Sequence, residues 1–330
     1  MIGFDKTTLN ASERAPLVLM PSGPIRELAA LVRDNSEEIA SLLLVHGAIL
    51  FRGFPIDSVS AFEKVTSAIS TRQIKYTNRS TPRTAVGTTS YTATEYPAQQ
   101  EIVQHNECSY QRDWPLKLAF CCLVAPASGG ETPIADMRKV TAMFPPSLVD
   151  LFTQREVRYV RNYRPYVDLP WQTVFQTEDR TEVAEFCEQH GIQLEWIAPD
   201  VLRTTQISQG TAVHPVTGER VYFNQAHLFH WSNLEPRMAE YLIKTYGLAG
   251  LPRNSYFGDG SDIDPDVLQT VRASFRDASF YFRWERGDLL LLDNMQFAHG
   301  RRPFVGARQI VAALLDPLSG PHDDAAVFEM

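Results

Sequence analysis

The sequence predicts a mainly β fold with helical additions, a double-stranded β-helix or jelly roll. Many short apolar segments are separated by turn-forming residues, and a few longer segments have helical periodicity. No glycine-rich fingerprint opens a helix, as a dinucleotide-binding fold would require. No internal repeat, low-complexity tract or linker interrupts the 330 residues, so we expect a single domain over residues 1–330.

The composition is that of an ordinary globular protein, with 44% hydrophobic and 21% charged residues. A formal net charge of −8 gives no electrostatic reason to expect nucleic acid or an anionic membrane as a partner. No apolar run is long enough to span a bilayer, and the start of the chain lacks an apolar core of signal-peptide length. The four cysteines lack C-x-x-C spacing and are interpreted as reduced and buried. We therefore expect a cytoplasmic protein.

The N-terminal part, to about residue 70, is predicted to be largely helical. Apolar residues recur at three- and four-residue spacing over 25–45, and a cap-like Asp57 or Ser58 precedes a second helix over 59–70. An apolar strand over 46–55 lies between them. Residues 71–100 are rich in Thr, Ser, Pro and Tyr, and we interpret them as a loop folded over a functional site.

Further strands and helices alternate along the rest of the chain. Helical insertions are predicted at about 138–190, with an aromatic strand inside them, and at about 234–278, where a glycine-rich loop divides two helices. Buried strands are predicted at 116–123, 288–293 and 309–315, and shorter strands at 193–196, 204–208, 212–214 and 221–225.

The pair His105 and Glu107 is the most informative local motif. In an extended strand, residues i and i+2 point to the same face, so these two side chains can converge. An imidazole and a carboxylate, completed by a second imidazole, form the ligand set of mononuclear non-haem iron(II) oxygenases. Spacing alone leaves the second imidazole open between His299, which lies between two buried strands, and His227, which forms an i, i+3 pair with His230.

Several ordered motifs resemble those of the clavaminate synthase-like enzymes. These belong to the taurine dioxygenase (TauD/TfdA) superfamily of iron(II)/2-oxoglutarate oxygenases, and the branch with syringomycin-type hydroxylases is the most similar. The resemblance extends over about 47–315. The motifs that carry it are 104–107, 115–121, 129–133, 287–294 and 299–301 with Arg308.

The resemblance implies that His105, Glu107 and His299 bind iron(II). It implies that Thr132 and Arg308 hold the distal carboxylate of 2-oxoglutarate, in agreement with the bidentate fit of a guanidinium to a carboxylate. The expected reaction uses O2, converts 2-oxoglutarate to succinate and oxidises an unactivated C–H, chiefly by hydroxylation, with desaturation, cyclisation or epoxidation as alternatives. Related halogenases replace the carboxylate by a small residue, so Glu107 favours oxidation over halogenation.

The substrate implied is an amino acid, or an amino-acyl or peptide natural-product intermediate, free or tethered to a carrier protein. Taurine-type relatives carry a second arginine where this chain has Ala312, so a sulfonate is not expected. A cupin-like metalloenzyme using other histidines and a non-catalytic jelly-roll binding module are the alternatives from other classes. The candidate substrate-contacting residues are Arg83, Tyr91, Thr92, Tyr96, Arg161 and Asn224.

Overall fold

The computed structural model describes residues 3–9, 16–74, 84–93 and 96–319. Arg83 therefore lies outside the described residues. In chain order the strands are β1 (Phe4–Thr8), β2 (Leu17–Pro21), β3 (Ala48–Phe51), β4 (Tyr91–Thr92), β5 (Ile102–His105), β6 (Asp113–Val124), β7 (Ser128–Gly129), β8 (Ile134–Asp136), β9 (Val157–Tyr163), β10 (Gln193–Ala198), β11 (Val201–Ser208), β12 (Thr211–Val213), β13 (Arg220–Tyr222), β14 (Arg253–Phe257), β15 (Ser279–Phe280), β16 (Leu289–Asp293), β17 (Phe297–Arg301), β18 (Phe304–Val305) and β19 (Gln309–Ser319).

The helices are short, and within the described ranges none is long and apolar enough to cross a membrane. In chain order they are α1 (Leu28–Asp34), α2 (Ser36–His46), α3 (Val59–Ile69), α4 (Met137–Ala142), α5 (Pro146–Arg155), α6 (Trp171–Phe175), α7 (Arg180–Gln189), α8 (Ala226–Phe229), α9 (Pro236–Tyr246) and α10 (Pro265–Asp277).

Two sheets form the core of the fold. The larger has the strand order β1-β2-β3-β16-β6-β19-β4, and the smaller has the order β15-β8-β17-β5. Alternate side chains of a strand point to opposite faces. On β6, Ala119 and Cys121 pack with the apolar residues of α1 to α3, whereas Phe120 packs in the cluster that contains Ile134 and Phe297 of the smaller sheet. The predicted mainly β fold with helical additions is confirmed as a double-stranded β-helix.

A third sheet, of order β10-β11-β9-β14, carries the predicted aromatic strand β9 at an inner position. One end of this sheet packs with the helices α6 and α7 in a separate small hydrophobic core. Tyr163 of β9, Leu202 of β11 and Trp171 of α6 are part of this core. This region contains much of the predicted insertion at 138–190. The insertion is thus partly strand, as its aromatic segment predicted.

The helix predicted over 25–45 is two helices, α1 and α2, that break at Asn35. Both the backbone N–H and the side-chain amide of Asn35 donate to the carbonyl of Leu31. Asparagine favours helix ends because its side chain competes for backbone groups in this way. The periodicity of the apolar residues continues across the break, so it gave no sign of it.

Several strands were not predicted, among them β1, β2 and β14. β1 and β2 lie in the part predicted to be largely helical; they pair with each other, and β2 also pairs in parallel with β3. β14 lies in the segment predicted to be a glycine-rich loop, and it pairs with β9, which is far earlier in the chain. The prediction for about 1–70, helices around one apolar strand, and that for about 234–278, two helices and a loop, were therefore wrong at these strands.

Glu63 of α3 holds the segment that precedes β4. Its carboxylate accepts hydrogen bonds from the backbone N–H of Thr89, at 2.9 Å, and the hydroxyl of Ser90, at 3.0 Å. Desolvation by burial raises the pKa of this carboxyl, but the hydrogen bonds from Thr89 and Ser90 outweigh it and hold the pKa below its ordinary value. The ionised carboxylate therefore ties this segment to the helix.

We predict that the substitution Glu63→Gln lowers the free energy of unfolding by about 1 kcal/mol near neutral pH, because charge-assisted hydrogen bonds become neutral ones. The folded pKa lies below the unfolded one. The contribution of the charge is thus complete above the unfolded pKa and is lost as the pH falls through the folded pKa. Urea unfolding should show a difference between wild type and variant near neutral pH that shrinks in acid. An equal difference in acid would contradict the prediction.

Candidate active site

Adjacent strands of the smaller sheet bring two histidines together. His299 on β17 lies directly opposite His105 on β5 in the antiparallel register, and their ring centroids are 4.7 Å apart. Glu107 follows two residues after His105, and its Oε2 lies 3.5 Å from Nε2 of His299. One ligand atom from each of the three residues lies within 4.8 Å of the others. The three side chains thus form one compact group.

The hydrogen bond of His105 orients it for a metal. Its Nδ1 lies 2.9 Å from the carbonyl oxygen of Val103, an acceptor only, so Nδ1 donates this hydrogen bond and Nε2 is the ring nitrogen that can bind a metal. A carbonyl partner of this kind is the usual outer contact of a metal-bound histidine. Glu107 and His299 are buried, at 3% and 5% exposure. Two imidazoles and one carboxylate, converging at one point, fit iron(II).

Asn294 fixes the backbone of Glu107. Its Oδ1 accepts from the N–H of Glu107 at 2.8 Å, and its Nδ2 donates to the carbonyl of Glu107 at 3.0 Å and to that of Pro115 at 2.8 Å. Asn106 returns the contact, because its Nδ2 donates to the carbonyl of Asn294 at 2.6 Å. All four of these hydrogen bonds are buried, so the loop after β5 has one strongly preferred position.

Asp293 shapes the turn that leads from β16 into β17. Its Oδ1 accepts from the N–H groups of Met295 and Gln296, each at 3.0 Å. Its Oδ2 accepts from Nε2 of His214 at 2.8 Å, while Nδ1 of His214 accepts from two backbone N–H groups of its own turn. This buried turn sets where β17 begins, and with it the position of His299.

A pocket opens beside the two histidines. Its lining includes His105, His299, Thr132, Arg301 and Arg308, together with apolar side chains of β5, β6 and β19. The glycines that precede Thr132 have positive φ, at 69° and 70°. A Cβ on the first would lie 2.2 Å from a backbone oxygen, so the close approach of this turn to β18 requires glycine there.

Arg308 supplies a desolvated positive charge to the pocket. Its Nε donates to the carbonyl of Gly130 at 3.1 Å, and its guanidinium lies over the ring of Phe304. Burial, and then the nearby charge of Arg301, lower the pKa of Arg308 to about 10. The group remains protonated at neutral pH, and its charge is poorly compensated. Such a pocket favours an anionic ligand.

Arg301 is a second cation of this pocket, to which the sequence analysis assigned no role. It is buried, and it donates to the carbonyls of Tyr96, Pro97 and Gln100 at 2.7–3.0 Å. It therefore anchors the segment 96–100 to the strand that carries His299. Its spacing, two residues after His299 on the same strand, was the available signal, because both side chains then face one way.

The predicted substrate residues lie at different distances from this pocket. Tyr91 and Thr92 form β4, which pairs with β19 through Ala312 and Val311, and the next residue, Ala93, lines the pocket. Tyr96 is part of the segment held by Arg301 and is 38% exposed. These three residues are near the pocket without being part of its lining.

Arg161 and Asn224 are further from the pocket. Arg161 lies on β9, opposite Arg253 of β14, with its guanidinium 4.7 Å from the ring centroid of Tyr163. Both amide atoms of Asn224 bond the backbone, to the carbonyl of Gly210 and from the N–H of Ala226. The structure therefore gives Asn224 a local role in shaping the turn before α8.

The competing histidines have other partners. His227 is fully buried, its Nε2 lies 3.1 Å from the carbonyl of Gln104, and its ring stacks on Phe275. Burial, opposed in part by this hydrogen bond, lowers the pKa of His227 to about 3, so the ring is neutral. His230 pairs with Ser232 through Nδ1. Neither histidine belongs to the group formed by His105, Glu107 and His299.

A double-stranded β-helix that carries two histidines and one carboxylate beside a cationic pocket is the architecture of the mononuclear non-haem iron oxygenases. The chain belongs to the family described as "Taurine catabolism dioxygenase TauD, TfdA family", whose model matches residues 14–314. It is therefore an oxidoreductase of the dioxygenase class. The resemblance found in the sequence motifs is thus confirmed.

Two relatives in sequence cover most of the chain. The dapdiamide synthesis protein DdaC of Enterobacter agglomerans is 39% identical over 280 residues, which are 85% of each chain. A clavaminate synthase-like protein of Arabidopsis thaliana is 27% identical over 321 residues, which are 92% of this chain and 94% of the relative.

Among solved structures, PvcB of Pseudomonas aeruginosa superposes with a TM-score of 0.55 at 16% identity and covers 95% of this chain and 91% of its own. A second structure, described as PvcB, an Fe, alpha-ketoglutarate dependent oxygenase from an isonitrile synthetic pathway, gives 0.56 at 15% identity, covering 97% and 95%. At these identities the likeness shows the shared fold.

We predict that the substitution Asn294→Ala weakens iron(II) binding about tenfold, because outer contacts that orient ligands commonly have effects of this size. Titration of the metal-free protein with iron(II) under anaerobic conditions measures the change. Asn162→Ala is the matched control, since Asn162 is also buried and also donates to two backbone carbonyls, those of Ala249 and Leu251. Equal losses in both variants would show that Asn294 acts only through general stability.

Proposed function

We propose that this dioxygenase hydroxylates an unactivated C–H of an amino acid, or of an amino-acyl or peptide intermediate of natural-product biosynthesis. One observation carries the proposal. His105, Glu107 and His299 bring their ligand atoms within 4.8 Å of one another, beside a pocket that contains the half-buried guanidinium of Arg308. A metal held by three side chains at one face keeps positions open for a co-substrate and for O2.

Each residue then has a distinct role. His105, Glu107 and His299 hold iron(II), and the neutral tautomer of His105 is fixed by the carbonyl of Val103. Arg308 and Thr132 hold the distal carboxylate of 2-oxoglutarate, the first as a charged fork and the second as a hydroxyl donor. The bound iron, with 2-oxoglutarate and O2, supplies oxidising power that side chains lack, and 2-oxoglutarate leaves as succinate and carbon dioxide.

The pocket also keeps water from the reaction. Phe120 lies against His299 with ring centroids 4.9 Å apart, and Ile310 forms part of the same wall. Arg301 holds the segment 96–100 beside the pocket. Enclosure of this kind strengthens the charged contacts within the site. Related halogenases have a small residue at the position of Glu107. The carboxylate of Glu107 therefore supports oxidation of the substrate rather than halogenation.

The substrate class is supported by the similar proteins. The relative of 39% identity is a dapdiamide synthesis protein, and PvcB comes from an isonitrile synthetic pathway. Both names describe biosynthesis of specialised small molecules. We propose that the substrate is a small amino acid derivative, and that a carrier protein presents it in the tethered case. Tyr91, Thr92 and Tyr96, which lie near the pocket, remain the proposed substrate contacts, with Arg161 on β9 and Arg83.

We also propose the cytoplasm as the compartment. All four cysteines are free and buried, although Cys121 and Cys122 are neighbours in sequence. Burial raises the pKa of Cys187 to about 11, so its thiol is unreactive at neutral pH. Free buried thiols are typical of proteins that work in a reducing environment.

The proposed function predicts that iron(II) and 2-oxoglutarate, added without oxygen, give a visible charge-transfer band. His105→Ala should abolish it. His190→Ala is the control, because Nδ1 of His190 also bonds a backbone carbonyl, that of Phe186, but outside this site.

With oxygen, succinate formation across free and carrier-tethered amino acids should identify the substrate. Absence of the band in wild type would sink the proposal of this metal site.

We predict that Arg308→Ala raises the KM for 2-oxoglutarate about 10- to 100-fold, the loss expected for a charge-assisted bond to a carboxylate. Arg308→Lys should restore part of the affinity, since it keeps the charge without the fork. Arg302→Ala serves as the control, because Arg302 is exposed and lies over Tyr281. An unchanged KM in Arg308→Ala would place the distal carboxylate elsewhere.

A further inference from the structure

Thr132 has a buried partner that no sequence motif indicated. Nε1 of Trp284 donates a hydrogen bond to Oγ1 of Thr132 at 3.0 Å, across 152 positions of sequence. Both residues are buried, at 3% and 4% exposure, and Thr132 lines the pocket beside Arg308. Phe282 packs on the indole with a centroid distance of 4.9 Å. The indole is thus held rigidly against the hydroxyl.

This contact determines which way the hydroxyl proton points. An indole N–H can only donate, so Oγ1 of Thr132 must accept it. The hydroxyl proton is then directed away from the indole. One of the two lone pairs of Oγ1 is occupied by the indole, and the hydroxyl proton is available to an acceptor in the pocket.

Arg308 is restricted in a similar way. Its Nε is engaged with the carbonyl of Gly130, and a guanidinium has no acceptor atom. At this part of the pocket both side chains therefore present hydrogen-bond donors. A carboxylate, which accepts only, matches that arrangement, whereas a neutral group with a donor of its own does not.

We propose that Trp284 is a positioning residue for the co-substrate, which fixes the hydroxyl of Thr132 as a donor to the distal carboxylate of 2-oxoglutarate. The inference rests on the proposed co-substrate site. It assigns to Trp284 a selective effect, since the indole favours 2-oxo acids that carry a distal carboxylate over those that do not. The indole does not touch the co-substrate in this arrangement and acts only through Thr132.

The first test compares two ligands on the anaerobic iron(II) enzyme. Trp284→Phe, which keeps a ring but removes the N–H, should weaken 2-oxoglutarate binding about fivefold, the usual effect of one neutral hydrogen bond. Binding of 2-oxobutanoate, which lacks the distal carboxylate, should not change. Equal weakening of both ligands would overturn the proposal, because general distortion of the pocket affects both.

A matched control exists in Trp114. It is also 3% exposed and packs on an aromatic ring, that of Phe223, but its Nε1 has no hydrogen-bond partner among the described residues. Trp114→Phe should leave the preference for 2-oxoglutarate over 2-oxobutanoate unchanged. A loss of preference as large as that of Trp284→Phe would show that removing any buried tryptophan has this effect.

A double-mutant cycle separates an action through Thr132 from a direct one. Thr132→Val should weaken 2-oxoglutarate binding, and adding Trp284→Phe to it should produce no further loss. Additive losses would show that the two residues act independently. Should Arg308→Ala leave 2-oxoglutarate binding unchanged, the co-substrate site itself is wrong. If Arg308→Ala weakens binding and Trp284→Phe does not, only the role of Trp284 fails.

Wild-type enzyme gives a test that needs no folded Trp284 variant. In the zinc-substituted protein labelled with ¹⁵N, the indole N–H signal of Trp284, assigned through substitutions of the other tryptophans, should shift on addition of 2-oxoglutarate. Addition of 2-oxobutanoate should leave it in place. Identical shifts with both ligands would contradict the inference.

Discussion

The antiparallel pairing of β5 with β17 is the constraint on which the site depends. It sets His299 opposite His105, and the loop that follows β5 then carries Glu107 to the same point. A shift by one residue would turn either histidine to the opposite face. The register therefore has to be fixed independently of any metal, and the residues that do so lie outside the group of ligands.

Buried polar contacts provide that fixation. Asn294 bonds both backbone groups of Glu107, and Asp293 orders the turn that starts β17. A buried polar group without a hydrogen-bond partner lowers the stability of the fold. Each of these side chains therefore stabilises only the arrangement in which its partners are present. The pocket is ordered in the same way. Nε1 of Trp284 donates to Oγ1 of Thr132, and Nε of Arg308 donates to the carbonyl of Gly130. The remaining donors are left for a ligand.

Much of the fold could be predicted from the sequence because the responsible signals are local. Apolar runs with turn residues at their ends identified β6, β16 and β19, and helical periodicity identified α3, α9 and α10. β2 and β14 could not be found in this way, because they pair with the more distant strands β3 and β9, and β1 was missed together with its partner β2. The break at Asn35 was missed for a different reason, since the apolar pattern on either side of it is continuous.

The sequence by itself determined the chemistry available, because residue types and short spacings are local properties. The His-x-Glu spacing of His105 and Glu107, the glycine turn before Thr132 and the motif around His299 carry the resemblance to the iron/2-oxoglutarate dioxygenases, and that resemblance already implied His299 rather than His227. Only the tertiary structure showed how the residues meet, since strand register is a long-range property: His299 lies opposite His105, and Glu107 follows in the loop after β5 rather than in the strand. It also decided that Arg301 and Trp284 belong to the pocket region, because each acts on residues distant in sequence.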